Sequence, residues 1–160
     1  MNTRPMLAAD LAEVLAIEQD ANPYPWSRKN FDDSLKANNR GWIFINKDNK
    51  IIGFSLIQKV MDEVHLLNIC VKKTEQGKGI GRDILNHVID FAISISAILI
   101  VLEVRQSNQV AQALYLNAGF NEMSIRKRYY PAKEGREDAI LMGLDLDLLS
   151  LFTDNTIKEN

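Results

Sequence analysis

The sequence predicts an α/β domain, and three observations carry that reading. Four segments with apolar residues at helical spacing are interleaved with six short apolar or alternating runs of strand length. One of these runs, "AILIVLEV" at 97–104, is apolar nearly throughout, as a strand buried on both faces requires. No tract rich in Pro, Gly or Ser divides the 160 residues, and a hydrophobic fraction of 46% is enough to fill one core. A single domain is therefore expected over 1–147, with a tail at 148–160.

The elements follow in chain order. In "AADLAEVLAIEQDA" (8–21), Leu11, Val14, Leu15 and Ile17 share a helix face, and Asp10 lies near the start, where an acid suits the helix dipole. "NPYPWSRKNFDDSLKA" (22–37) breaks at its prolines and restarts, with Ser27 as N-cap and a hydrophobic staple from Trp26 to Phe31. "GWIFIN" (41–46) and "IIGFSLIQKV" (51–60) read as strands joined by the polar hairpin "KDNK", and "EVHLLNICV" (63–71) as a third strand. From Gly79 to about Ser94, the residues Ile80, Ile84, Leu85, Val88, Ile89 and Phe91 form the broad apolar face of a helix.

After the buried strand, "SNQVAQALYLNAGF" (107–120) is a helix capped by Ser107 or Asn108 and stopped by Gly119. "NEMSIRKRYYP" (121–131) and "DAILMGLDL" (138–146) are the last strands, separated by "AKEGRE", and "LDLLSLF" (146–152) has the composition for a short helix.

Composition narrows the chemistry. No basic flank precedes an apolar stretch at the N-terminus, and no apolar run reaches the roughly 18 residues of a membrane span, so a cytoplasmic protein without a membrane partner is expected. Cys70 is the one cysteine, and His65 and His87 are too scattered for ligand spacing, so neither a disulfide nor a metal site is expected. A formal net charge of -2 gives no reason to expect nucleic-acid binding.

The chemistry-bearing stretch is "VKKTEQGKGIGRDILNHVIDFA" (71–92), with Gly77, Gly79 and Gly81 at alternate positions before a helix. Glycine turns that open helices suit phosphates, because main-chain N–H groups and the positive helix end converge there. A Walker loop would need a hydroxyl after its lysine, and Lys78 is followed by Gly79. The dinucleotide fingerprint needs G-x-G-x-x-G, and here the spacing is G-x-G-x-G. What remains is Gln76-x-x-Gly79-x-Gly81, directly after a strand and directly before a helix. A plain glycine turn capping the helix is the alternative reading.

This loop resembles the acyl-coenzyme A loop of the GNAT N-acetyltransferase superfamily. The resemblance implies a GNAT fold, a central, mixed and strongly twisted sheet of about six to seven strands flanked by about four helices. It further implies acetyl-CoA as donor, without a metal, held by Ile69, Cys70 and Val71 on the strand and by Gln76, Gly77, Lys78, Gly79, Ile80, Gly81 and Arg82 on the loop. Asn108 would also contact the donor. Glu103, which interrupts the end of an apolar strand, would face the acceptor amine as general base; otherwise it is a solvated strand end paired with Arg105. Tyr115, set among Val110, Ala111, Leu114 and Ala118, would protonate the leaving sulfur; otherwise it is a core residue. Cys70 lies within an apolar strand and reads as a small core residue before a nucleophile.

"YPWS" (24–27), "NICV" (68–71), "LEVRQSN" (102–108), "LYLNAGF" (114–120), "RKRYYP" (126–131) and "GREDAILM" (135–142) together resemble the ribosomal-protein alanine N-acetyltransferase (RimI) family over about residues 2–146. Cys70 stands where that family would have alanine, and the tail beyond Asp147 has no counterpart. The resemblance implies that the acceptor is the N-terminal alanine of small-subunit ribosomal protein 18, in a groove shaped by Tyr129, Tyr130 and the loop from Arg136 to Asp138. A GNAT enzyme acting on lysines or a small amine, and a non-catalytic acyl-CoA-binding or protein-interaction module, are the competing functions. Glu103 and Tyr115 argue against the module, which needs neither.

Overall fold

The structure of the protein, a computed structural model, describes residues 1–147. The tail at 148–160, and the helix expected over 146–152 beyond Asp147, lie outside the described residues. Among the described residues, seven strands form one mixed sheet in the order β1-β2-β3-β4-β5-β7-β6, with four α-helices. The chain order is β1 (Asn2–Pro5), α1 (Leu11–Ala21), α2 (Arg28–Lys36), β2 (Arg40–Ile45), β3 (Ile51–Val60), β4 (Glu63–Val71), α3 (Ile80–Ser94), β5 (Leu99–Arg105), α4 (Gln109–Asn117), β6 (Asn121–Pro131) and β7 (Arg136–Asp145). The chain forms two compact units. The first is Met1–Lys59 with Leu66–Val88, and the second is Val60–His65 with the described residues from Ile89 to Asp147.

In the first unit, β1, β2 and β3 run antiparallel, with Thr3 opposite Phe44 and Ile43 opposite Phe54. Strand β1 has no counterpart among the sequence expectations. Its four residues, "NTRP", show no apolar alternation and end on a proline, so only pairing with β2 makes them a strand. The apolar face of α1 buries Leu11, Val14 and Ile17 against Ile43, Ile51, Phe54 and Leu56. Asp10 does not act as a side-chain cap of α1. Both its oxygens take Arg4 N–H groups at 2.7 Å and one accepts the Leu7 N–H at 2.8 Å, holding the carboxyl below the usual carboxylate range.

Helix α2 starts as the sequence predicts. Ser27 Oγ accepts the Asn30 N–H while the Asn30 side chain returns to the Ser27 N–H at 2.8 Å. The Trp26 and Phe31 rings meet at 5.3 Å, closing the staple, and Phe31 in turn packs edge-on to Phe54 at 5.7 Å.

One glycine sets the packing of β3, β4 and α3. A Cβ on Gly53 would lie 2.7 Å from Ile84 Cδ1 and 2.8 Å from the Cys70 carbonyl oxygen, so the missing side chain is what admits both neighbours. The Lys72 N–H then donates to the Ile52 oxygen at 2.8 Å, fastening the end of β4 to β3.

In the second unit, β7 pairs with β5 on one side and β6 on the other, both antiparallel; Leu141 lies opposite Glu103 and Ala139 opposite Arg105 and Arg126. Register shifts interrupt β6 between Glu122 and Ser124 and between Arg126 and Tyr130. Helix α4 begins at Asn108, whose Oδ1 accepts the Ala111 N–H at 3.1 Å, and ends before Gly119 at φ 97.

The contact at Gly53 leads to a stability prediction. Gly53→Ala is expected to cost about 1–3 kcal/mol through overpacking, because one of the two atoms it strikes belongs to the backbone. Thermal unfolding should show a Tm lower by about 2–4 °C per kcal/mol. An unchanged Tm would show that β4 and α3 relax freely at this point.

Candidate active site

In the first unit, β4 runs into a turn that the sequence did not announce, a 3-10 segment at Lys73–Glu75. Gln76 Nε2 donates to the Val71 carbonyl at 3.1 Å, tying the loop back to the end of β4, and Lys78 pairs with Glu75 at 2.9 Å. Gly77 and Gly79 take φ of 75 and 82, the left-handed region in which a side chain is strained. Gly81 has no positive φ and lies in the first turn of α3.

The space beside this turn is open. A Cβ on Gly77 would meet nothing within 4 Å, and one on Gly79 only Arg82 Nη2 at 3.4 Å. Gln76, Gly77, Lys78, Gly79 and Arg82 are exposed. The Gly79 carbonyl accepts the Asp83 N–H at 3.1 Å, so the helix opens here with Ile80, Gly81 and Arg82 supplying its first N–H groups, which have no intrahelical partner. Accessible main chain, a helix N-terminus and the cations of Lys78 and Arg82 together fit a pyrophosphate.

On β4, Ile69 and Val71 are half-buried and Cys70 is 7% exposed. Burial first, and the nearby Glu18 carboxyl second, push the Cys70 thiol far above its usual range, which disfavours the thiolate form a nucleophile needs.

The second unit holds Glu103, Asn108 and Tyr115. Strand β5 buries Ile100, Leu102 and Val104 and turns Glu103 to the other face, where its side chain keeps 25% exposure. The ion pair at Glu103 is not the one with Arg105 that stood as the alternative to a catalytic role. Glu103 Oε1 lies 3.3 Å from Arg126 Nη2, whereas Arg105 pairs with Glu137 at 2.8 Å and covers the Tyr130 ring at 4.3 Å. The hydrogen bond from Arg105 holds Glu137 below the usual carboxylate range. Gln112 Nε2 donates to the Arg105 and Gln106 carbonyls, pinning the approach to α4.

Tyr115 is the buried residue of α4, 6% exposed, with its ring 5.7 Å from that of Phe120. Burial, then Tyr130, pushes its phenol well up, so it remains a proton donor at every physiological pH. Tyr130 is pushed up to about 12, by burial and then by Glu103 and Tyr129, against the opposing Arg105 and Arg126. Tyr129 and Tyr130 stack edge to face at 5.0 Å. Between them and Arg126 the strand bulges through Arg128 at φ 53, held by the Asp138 carboxylate on its N–H and by Arg136 Nε on its carbonyl.

The arrangement assigns each expected residue a place. The donor-loop residues gather at the end of β4 and the start of α3, while Glu103, Asn108 and Tyr115 belong to the second unit. Two residues escaped sequence reasoning. The Arg126 partner of Glu103 is set by the register of β6, which no local pattern discloses. Glu18 is fully buried, and its sequence signal was its place on the face of Leu11 and Val14. Among the described residues no three His, Cys, Asp or Glu side chains gather as a metal ion requires.

Comparison with known proteins agrees with this geometry. Residues 11–120 match the Acetyltransferase (GNAT) family. The [ribosomal protein bS18]-alanine N-acetyltransferase of Escherichia coli (strain K12) is 42% identical over 153 residues, covering 92% of this chain and 100% of that protein. The enzyme of the same name from Haemophilus influenzae is 41% identical over 140 residues, 84% of this chain and 92% of that one. The crystal structure of the ribosomal-protein-S18-alanine N-acetyltransferase from Escherichia coli superposes with a TM-score of 0.84 and 38% identity, over 90% of this chain and 92% of that chain. With the glycine loop, the strand order and these relatives in agreement, the chain belongs to the GNAT acetyltransferase family.

Proposed function

We propose that this chain transfers the acetyl group of acetyl-CoA to the N-terminal alanine amino group of ribosomal protein bS18, in the cytoplasm. The observation that carries the reading is the 42% identity along the whole length of the Escherichia coli enzyme so named. The exposed loop with its two left-handed glycines supports the donor side.

Acetyl-CoA supplies a thioester carbonyl that a neutral amine attacks, with a thiol as leaving group. The main-chain N–H groups of 76–82 and the first turn of α3 would hold its pyrophosphate, with Lys78 and Arg82 adding positive charge and Asn108 a further contact. The 69–71 segment of β4 would align the pantetheine arm, and the Val71 N–H would steady the negative charge that develops on the carbonyl oxygen.

Glu103 would take the proton from the incoming ammonium. An α-amino group titrates near ~8, so little basicity is demanded of it. Its ion pair with Arg126, at 3.3 Å and half exposed on the arginine side, belongs to the weak surface class and can yield to an arriving ammonium. Tyr115 would return a proton to the sulfur. Burial makes its phenol a weaker acid, but the same dry surroundings make a departing thiolate a stronger base, so the two shifts oppose one another and the transfer keeps much of its driving force. Tyr129, Tyr130 and the turn from Arg136 to Asp138 would shape the groove for the peptide end.

Three outcomes are expected. Glu103→Gln should lower kcat by about 10²–10⁴-fold with acetyl-CoA affinity unchanged, and alkaline pH should restore part of the rate by supplying neutral amine. Full activity at pH 7 would make Glu103 structural. For Tyr115→Phe, slow turnover with an unchanged Tm is expected, and because the raised phenol pKa keeps its proton, the wild-type rate should show no tyrosine limb below about pH 10. A lowered Tm with normal turnover would return Tyr115 to the core.

The acceptor is tested with peptides copying the bS18 N-terminus, free or carrying an N-acetyl cap, read by the mass and position of the added group. Free termini should react and capped ones should not, even with lysine present, since lysine near ~10.4 is harder to deprotonate. Acetylation mainly on internal lysines, or faster reaction with a polyamine, would overturn the N-terminal assignment and leave the family standing.

A further inference from the structure

Glu18 lies in the interior of α1 with no exposed surface, and none of the chemistry above uses it. Its Oε1 accepts three hydrogen bonds: from Asn22 Nδ2 at 3.0 Å, the Trp26 backbone N–H at 3.0 Å, and Asn68 Nδ2 on β4 at 3.2 Å. Its Oε2 is equally buried and has no hydrogen-bond partner of ordinary geometry, although the Cys70 thiol is close enough to feel the carboxyl. A buried acid is costly to desolvate, and three donors on one oxygen leave the other without compensation. A hydrophobic residue on that face of α1 would continue the stripe of Leu11 and Val14, so apolar packing alone does not account for a glutamate here.

What the three donors share is position. Asn22 ends α1, and its Oδ1 also accepts the Tyr24 N–H at 2.9 Å; Trp26 precedes the cap of α2; Asn68 immediately precedes the 69–71 segment of β4. One carboxyl oxygen therefore ties both ends of the 22–26 turn to the strand that leads into the donor site. We propose that Glu18 is a positioning residue for acceptor binding, holding the "YPWS" turn on β4 so that it meets a peptide N-terminus in one fixed pose. The proposal rests on the acceptor reading above, extended to "YPWS", one of the segments that resemble the alanine N-acetyltransferase family, as a further contact of the peptide end. Glu18 touches neither substrate and acts only through the turn.

The test combines Glu18→Gln, Glu18→Leu and Asn68→Ala with two measurements. In steady-state kinetics on bS18 N-terminal peptides, Glu18→Leu and Asn68→Ala should raise the peptide KM about tenfold or more, with kcat and the acetyl-CoA dissociation constant within about twofold of wild type. Glu18→Gln keeps an acceptor oxygen for all three donors and should stay near wild type. In hydrogen exchange on the free protein, the Trp26 amide should exchange faster in Glu18→Leu and Asn68→Ala and not in Glu18→Gln.

Faster exchange with an unchanged peptide KM would make the tie purely structural and overturn the proposal. A parallel loss of kcat and acetyl-CoA affinity would overturn it in favour of a donor-side role. Should Glu18→Leu fail to fold, Asn68→Ala decides alone, because it removes one donor and leaves the carboxyl and its other two partners in place. If wild-type protein acetylates no peptide terminus, the acceptor reading itself falls, and altered Trp26 exchange then shows only that the tie exists.

Discussion

Much of the first unit depends on the absence of one methyl-sized group. At Gly53, β3 lets the Ile84 side chain and the Cys70 carbonyl come within 2.7 and 2.8 Å of where a Cβ would stand. Strand β4 and helix α3 are thereby seated on the same strand residue, and the loop between them is held from both ends. Its conformation follows from its own two left-handed glycines, but its place follows from Gly53. A ligand loop mounted on close-packed strand and helix ends has little freedom to wander, which is what recognition of a phosphate by main-chain groups demands.

The second unit solves a different problem, keeping charged groups apart from one another on a sheet that also has to bury Tyr115. Strand β7 sets the registers of β5 and β6 together, so that Glu103 meets Arg126 across the sheet while Arg105 is taken up by Glu137 and the face of Tyr130. Two arginines are thus divided between two carboxylates. The exchange leaves the more exposed pair at Glu103, the residue proposed to take the amine proton, and the more buried pair at Glu137, which anchors the start of α4 through the Ser107 N–H.

The sequence was most legible where the signals are local. The cap of α2 and its staple depend on residues a few positions apart, and so do the glycine turn, the Asn108 cap and the helix stop at Gly119; each is found where periodicity and capping rules put it. Legibility fails where a residue's partner is distant in the chain. The four residues of β1 become a strand only through β2, and nothing local to Asp10 says that Arg4 of that strand takes up its carboxylate. Glu103 was recognisable as an odd carboxylate at a strand end, yet its partner is 23 positions downstream and appears only when the bulged register of β6 is known. Glu18 could have been noticed as an acid on an apolar helix face, but nothing local says that Asn68, 50 residues away, donates to its Oε1.

The state of Cys70 also bears on how the protein meets oxidants. A thiol that is buried and held protonated offers almost no thiolate, the form that peroxides and disulfides attack. Because it is the chain's one cysteine, the folded protein has no ready sulfur for glutathione capture or for a covalent link to a neighbour. An acetyl-transfer enzyme built this way keeps the exposed sulfur of its chemistry on the donor molecule and its own sulfur packed against the helix that faces β4.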